Sequence, residues 1–290
     1  MKRDHRQLTV VGFPESGKTT FIAAMYHLIQ QPDHSALTLM KLPPNSAYLD
    51  EIASNWRSAL RMPHTNLRTH ENIILELRDR EHGIEFELAL PDMSGEEFNR
   101  QWEQRAWSNE YGNVLSKSTG LLLFISSNVV PSMTIEQFDH IKDDHPEGDY
   151  PDESPPYSAR NAPTALKLVE LLQFARQALP GNCLRHVGVI ISAWDLIDDL
   201  PEAQRTLPAK WLQDTLPLLH QFLRANDDWI ESKVFGVSAQ GFNLEGNPLT
   251  EQEREEKLRP YDSAVSRIRV VTDGPPAHDI TLPIRWAVGI

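Results

Sequence analysis

The stretch Val10-Val11-Gly12-Phe13-Pro14-Glu15-Ser16-Gly17-Lys18-Thr19-Thr20 places glycine at 12 and 17, lysine at 18 and threonine at 19. That is the GxxxxGK[ST] spacing of a phosphate-binding P-loop. Glycines let the backbone curl until successive N–H groups point at one anion. The Lys18 ammonium suits β- and γ-phosphate oxygens, and the Thr19 hydroxyl suits Mg²⁺. A helix starting at the lysine adds the positive end of its dipole. The candidate phosphate-binding residues are therefore Glu15, Ser16, Gly17, Lys18, Thr19 and Thr20, with Lys18 also a candidate catalytic group. The flanks agree. Residues 7–11 read as a short β-branched strand, and residues 20–30 as a helix with Phe21, Met25 and Leu28 on one face. A glycine turn with a surface lysine would explain neither flank.

Working outward, residues 31–70 form a long segment before the next strands. It holds a helical pattern over 47–61 (Leu49, Ile52, Trp56, Leu60) bordered by Pro43-Pro44 and Pro63. Residues 72–77 and 84–90 alternate around His82-Gly83 and read as an antiparallel hairpin. The second of these runs into Asp92-Met93-Ser94-Gly95-Glu96-Glu97. Asp-x-x-Gly alone is a common turn. At the end of a strand and downstream of a P-loop, it matches the DxxG loop of P-loop GTPases. There the aspartate holds Mg²⁺ through a water and the glycine N–H senses the γ-phosphate.

Residues 119–126 are a continuous apolar run, as a buried parallel strand requires. Residues 128–163 are rich in acids and proline and read as an exposed insertion. Residues 162–179 form an amphipathic helical pattern. Residues 186–191 are a second buried strand, leading into Ser192-Ala193-Trp194-Asp195. Residues 207–223 read as a helix that Pro217 must kink or split. Residues 233–237 are a third strand, leading into Ser238-Ala239-Gln240-Gly241. A charged stretch spans 250–259, residues 266–271 suit a strand, and 280–283 open a short last helix. Strands alternating with helices, with loops of chemical interest at strand carboxyl ends, specify a doubly wound α/β sheet that binds its ligand along that edge.

The chain has 290 residues, 40% hydrophobic and 24% charged, with a formal net charge of −13. That charge, with no basic run, speaks against nucleic acid or an anionic membrane surface as partner. Cys183 is the only cysteine, which excludes an internal disulfide and suits a reducing compartment. The N-terminus lacks the apolar core of a signal peptide, and no apolar run approaches 18 residues. The expected location is cytoplasmic.

Four loops in order, GFPESGKT, DMSGE, SAWD and SAQG, resemble the motif series of TRAFAC-type GTPases between residues 8 and 241. In detail the chain is most similar to the bacterial double-GTPase family of conflict and defence systems. The resemblance implies a P-loop NTPase three-layer sandwich. Its sheet would be mostly parallel with one antiparallel edge hairpin, in a Ras-like topology with insertions at 31–70 and 128–163. It implies GTP/GDP and Mg²⁺ as ligands, and a protein effector or paired GTPase as partner.

Carried over residue by residue, Asp195 would read guanine N1–H and the exocyclic amine. The Ala239 N–H would donate to O6, and Ser238 and Gln240 would flank it in the base loop. Asp92 and Thr19 would hold the metal. Thr65 and Thr69 are both candidates for the threonine that completes its coordination, and either also suits a loop or cap hydroxyl. Gly95 and Glu96 would face the γ-phosphate.

An SxWD-like fourth motif is a point of similarity to the double-GTPase family, but the chain departs from the usual GTPase pattern in three places. Ser192 and Ala193 stand where the fourth motif has Asn and Lys, which bears on guanine preference, and Trp194 fits a core position better than a stacking one. Glu96 replaces the glutamine that positions water, while also suiting the dipole of a helix start. Pro14 stands where a small residue would admit an arginine finger. Slow intrinsic GTP hydrolysis is expected, raised by a partner. A P-loop ATPase and a nucleotide-holding pseudo-GTPase that serves as an assembly module are the alternatives.

Overall fold

The computed structural model describes residues 6–31, 35–62, 72–91, 101–106, 108–129, 162–178, 186–244 and 249–290. Eight strands form one sheet: β1 (Gln7–Gly12), β2 (Leu37–Leu39), β3 (Ile73–Asp79), β4 (Glu85–Leu90), β5 (Gly120–Ser126), β6 (His186–Ser192), β7 (Glu231–Ser238) and β8 (Arg269–Val271). Their order is β2-β3-β4-β1-β5-β6-β7-β8. Strands β4, β1, β5, β6 and β7 run parallel, so their carboxyl ends share one edge. The β3–β4 hairpin is antiparallel, with Ile73 opposite Leu90. Two short strands extend the sheet beyond the expected hairpin, β2 outside β3 and β8 outside β7, both antiparallel. Three-residue strands are too short to give a readable alternation. In the expected 266–271 strand, the first residues instead form a 3₁₀ turn (Val265–Arg267).

The helices are α1 (Lys18–Ile29), α2 (Ser46–Arg57), α3 (Asn109–Leu115), α4 (Thr164–Ala178), α5 (Asp195–Asp198), α6 (Pro208–Thr215), α7 (Pro217–Ala225), α8 (Glu251–Leu258) and α9 (Leu282–Val288). Successive strand residues point to opposite faces, so each parallel strand feeds two cores. Leu8, Val10, Leu122, Phe124 and Ile190 pack with α1, α2 and α9. Val11, Leu121, Leu123, Val189 and Ile191 pack with α3, α4, α6 and α7. The three-layer α/β/α sandwich of a P-loop NTPase results. Helix α1 lies between the sheet and α2, which is why it is apolar nearly all round.

Two helix boundaries differ from the sequence reading. α2 ends at Arg57 instead of Arg61, because Ala59 turns into the left-handed region (φ 53). Ala59 N–H donates to Trp56 O at 3.1 Å and Leu60 N–H to Asn55 O at 2.8 Å, the paired bonds of a Schellman stop. Leu60 keeps the helical spacing while the backbone has already reversed. Pro217 splits the 207–223 pattern outright: Leu216 is non-helical and α7 begins at the proline. The charged stretch forms α8, opened by a capping box in which Thr250 Oγ1 accepts from Glu253 N–H and Glu253 accepts from Thr250 N–H.

At the sheet edge opposite the parallel strands' carboxyl ends, Asp79 joins the hairpin turn to α9. It accepts from His82 N–H at 2.8 Å and Arg285 Nε at 2.7 Å. Burial pushes this carboxyl up, but the hydrogen bonds from His82 and Arg285 outweigh that and hold it below the usual range. Most of the 128–163 insertion and Cys183 lie outside the described residues. Among the described residues no helix is long and apolar enough to cross a membrane.

Candidate functional site

The sequence from β1 into α1 builds the first wall of the site by local rules. β1 ends at Gly12, and Gly17 takes a left-handed conformation (φ 82) that a glycine supplies at little cost before α1 begins at Lys18. The Lys18 ammonium donates to Gly12 O at 2.9 Å, Phe13 O at 2.6 Å and Ser16 Oγ at 3.2 Å, tying the loop together. A Cβ on Gly17 would lie 2.7 Å from the Ser192 Cβ and Oγ. Ser192 thus packs directly against the P-loop. Its hydroxyl reaches Ile125 O at 3.4 Å. Small residues on both sides permit that close approach.

The second wall comes from the ends of β6 and β7. Ala193 sits in the left-handed region (φ 51), and its carbonyl accepts from Ser127 Oγ at 2.9 Å. Trp194 turns inward and is fully buried against Gly236, where any Cβ would strike its ring at 2.4 Å. The tryptophan is therefore core, and it anchors the turn that delivers Asp195 to the start of α5.

Asp195 is 3% exposed and accepts from Ser238 Oγ at 2.7 Å. Ser238 Oγ in turn accepts from Gly241 N–H at 3.1 Å. Burial raises the Asp195 carboxyl above its ordinary range, partly offset by the Ser238 hydroxyl that donates to the charged form. One serine thus fixes both the acid and the turn that carries Ala239 and Gln240.

Two side chains that sequence reasoning did not single out hold this wall in place. Trp56, at the end of α2, donates its indole N–H to Ala239 O at 2.9 Å. Arg267 is buried with its guanidinium 4.6 Å from the Trp56 ring centroid. It donates through Nη2 to Trp56 O at 3.0 Å and Arg57 O at 3.3 Å, and through Nε to Ala264 O at 3.3 Å. Burial lowers its pKa to about 10, so it stays protonated at neutral pH and acts as a cationic cap on the carboxyl end of α2. Trp56 was readable as a core position from its spacing. No pattern in the sequence marks Arg267.

Both walls enclose one cleft of about 500 Å³ at the carboxyl edge of the sheet, within the size range of small-molecule sites. Glu15, Gly17 and Thr20 line one end, and Asp195, Ala239 and Gln240 the other. Leu60, Met62 and Phe242 supply apolar surface. Glu15 is exposed with φ 62, Ser16 is buried against Lys18, and Thr19 stands in the first turn of α1. Asp92, Gly95, Glu96, Thr65 and Thr69 lie outside the described residues.

Among solved structures, the chain is similar to the S. cerevisiae Ski7 GTPase-like domain bound to GTP, at 12% identity and TM-score 0.43, over 84% of this chain and 44% of that one. The signal recognition particle receptor SRb-GTP/SRX complex from Chaetomium thermophilum aligns at 12% identity and TM-score 0.37, over 82% and 93%. A bacterial selenocysteine-specific elongation factor, EF-Sec, aligns at 12% identity and TM-score 0.34, over 88% and 28%. The chain thus spans less than half the length of EF-Sec and of the Ski7 chain. No curated protein matches the sequence. A model of the Double-GTPase 1 family matches residues 9–287, the span that contains the P-loop, Asp195 and the base loop. The chain belongs to the Double-GTPase 1 family.

Proposed function

We propose that the protein is a molecular switch that hydrolyses GTP to GDP slowly and whose nucleotide state is read by a protein partner. That partner would be an effector or a second GTPase in a multi-component bacterial system. The observation that carries this reading is the cleft that the P-loop shares with Asp195 and Ala239. Phosphate-binding amides at one end and a buried carboxylate fixed by Ser238 at the other match a guanine nucleotide. Guanine offers Asp195 two donors, N1–H and the exocyclic amine, where adenine offers the same carboxylate no such pair.

In this reading Glu15, Ser16, Gly17 and Thr20 cradle the phosphates, and Lys18 turns from its own loop carbonyls onto β- and γ-phosphate oxygens. Asp195 reads the base, with Ser238, Ala239 and Gln240 around it. The Thr19 hydroxyl in the first turn of α1 suits Mg²⁺, with Asp92 and one of Thr65 and Thr69 as its companions. Bound Mg²⁺ supplies positive charge to the phosphate oxygens. In hydrolysis a water oxygen attacks the γ-phosphorus, and the bond from that phosphorus to the β–γ bridging oxygen breaks. GDP and inorganic phosphate leave. The resemblance would set the Gly95 N–H toward the γ-phosphate and Glu96 at the water, where a carboxylate would accept without donating as an amide would. That departure, with Pro14 at the loop, supports a low intrinsic rate and a need for a partner.

Competition binding and phosphate release test the proposal together. GTP should displace a labelled guanine nucleotide at least about tenfold better than ATP does, because the site's hydrogen-bonding groups go unpaired with the wrong base. Phosphate release should be slow alone and faster with the partner. Equal affinity for the two nucleotides would identify a P-loop ATPase. GTP held without release under any condition would identify an assembly module that uses nucleotide structurally.

A further inference from the structure

Gln240 lines the nucleotide cleft, is 7% exposed, and has both amide atoms, Oε1 and Nε2, shut away from water with no hydrogen-bond partner. Buried amides are almost always paired, and an unpaired donor and acceptor together are costly. The backbone around it leaves little freedom to relieve this. Ala239 O is held by Trp56, Gly241 N–H by Ser238, and Gly241 O by Tyr261 Oη at 3.0 Å. Only the side chain of Gln240 is free to turn.

Guanine presents two acceptors side by side on one edge, O6 and N7. On the proposed guanine-nucleotide reading, on which this inference rests, Asp195 takes the N1–H and amine edge and the Ala239 N–H takes O6. Those contacts leave N7 without a donor. We infer that Gln240 is the purine N7 reader: when nucleotide enters, its side chain turns into the cleft and Nε2 donates to N7. The base then satisfies the unpaired Nε2 donor of that amide. Gln240 adds affinity for a purine, while Asp195 selects guanine among purines.

The test is a cycle between Gln240→Leu and 7-deaza-GTP, in which a C–H replaces N7. The wild-type protein should bind 7-deaza-GTP about fivefold more weakly than GTP, the size of one neutral hydrogen bond. Gln240→Leu should bind both equally, at the wild-type affinity for 7-deaza-GTP. The same variant should melt higher than wild type without nucleotide, because two unpaired polar atoms leave the interior. Equal binding of GTP and 7-deaza-GTP by the wild type overturns the inference. So does a preference for GTP that survives in Gln240→Leu. The wild-type comparison needs no variant, and Gln240→Met repeats the cycle should leucine disturb the loop. A wild-type protein that fails to prefer GTP over ATP would instead overturn the guanine reading, and that result appears before any variant is made.

Discussion

The two ends of the cleft are built in different ways. The phosphate end is a single run of sequence from Gly12 to Thr20, shaped by glycine conformations and a helix start. The base end is assembled from residues near 56, 195, 238 and 267, carried on α2, the ends of β6 and β7, and the turn before β8. A local motif tolerates change elsewhere in the fold because its geometry is set by its own backbone. A site gathered by tertiary contacts inherits the stability of every element that contributes to it. Perturbations should therefore separate cleanly: some should remove all nucleotide binding, and others should remove only the discrimination between bases.

The largest effect should come from the phosphate end. On the proposed reading Lys18→Ala removes charge-assisted hydrogen bonds to the β- and γ-phosphates, and calorimetry should show GTP and ATP each losing about 3 kcal/mol or more of binding free energy, near 100-fold, and GDP, which has no γ-phosphate, losing less. An equal loss for GTP and ATP would place the effect at the phosphates, whereas a loss for guanine nucleotides alone would break the proposed division of labour.

Arg267→Ala comes next, with an effect on stability. It removes the guanidinium donor from the carbonyls of Trp56, Arg57 and Ala264, of which Trp56 O keeps the Ala59 N–H, and opens a hole between Trp56 and Phe242. Urea unfolding should show a loss of about 3 kcal/mol. Any residual binding should retain triphosphate contacts while GTP and ATP become harder to tell apart.

Asp195→Ala should cost about 2 kcal/mol in GTP affinity with ATP affinity nearly unchanged, read by competition. Trp56→Phe is gentler. It keeps most of the ring packing and deletes one hydrogen bond to Ala239 O, so guanine preference should fall by about fivefold.

The smallest effect is one of pH. Asp195 must be ionised to accept from guanine, and burial, its dominant influence, raises its folded pKa above the unfolded value. Its ionisation accordingly opposes folding as pH rises from the unfolded pKa through the folded one, and below both values that opposition is absent. Base reading has the reverse dependence. The ratio of GTP to ATP affinity should decline as pH falls toward the raised pKa, while contacts common to both triphosphates cancel from the ratio. A ratio that stays flat down to ordinary carboxylate pKa values would show that the Asp195 carboxylate does not carry the discrimination.

Much of the molecule is legible in the residues because it follows short-range rules. The glycine spacing of the P-loop, the apolar runs at β5 and β6, and the break at Pro217 each depend on a few neighbouring positions. Trp194 as core followed from its position in the fourth loop, and Asp195 from the motif around it. Long-range pairing left no comparable trace. β2 is too short to alternate visibly, and β8 is only the last half of the strand expected over 266–271. The stop at Ala59 depends on one left-handed residue inside a pattern that continues to Leu60. Arg267 becomes a cap for α2 only because the fold brings the turn before β8 against that helix.

By itself the sequence determined an α/β sheet with a P-loop at its first strand and polar loops at the ends of later strands, because those features rest on local backbone preferences and alternation. The tertiary structure alone decided that Trp56 and Arg267 secure the base loop, that Ser238 fixes Asp195, and that Gln240 is left buried without a partner. These depend on which surfaces meet when apolar area is buried, and no residue encodes that separately from its distant neighbours.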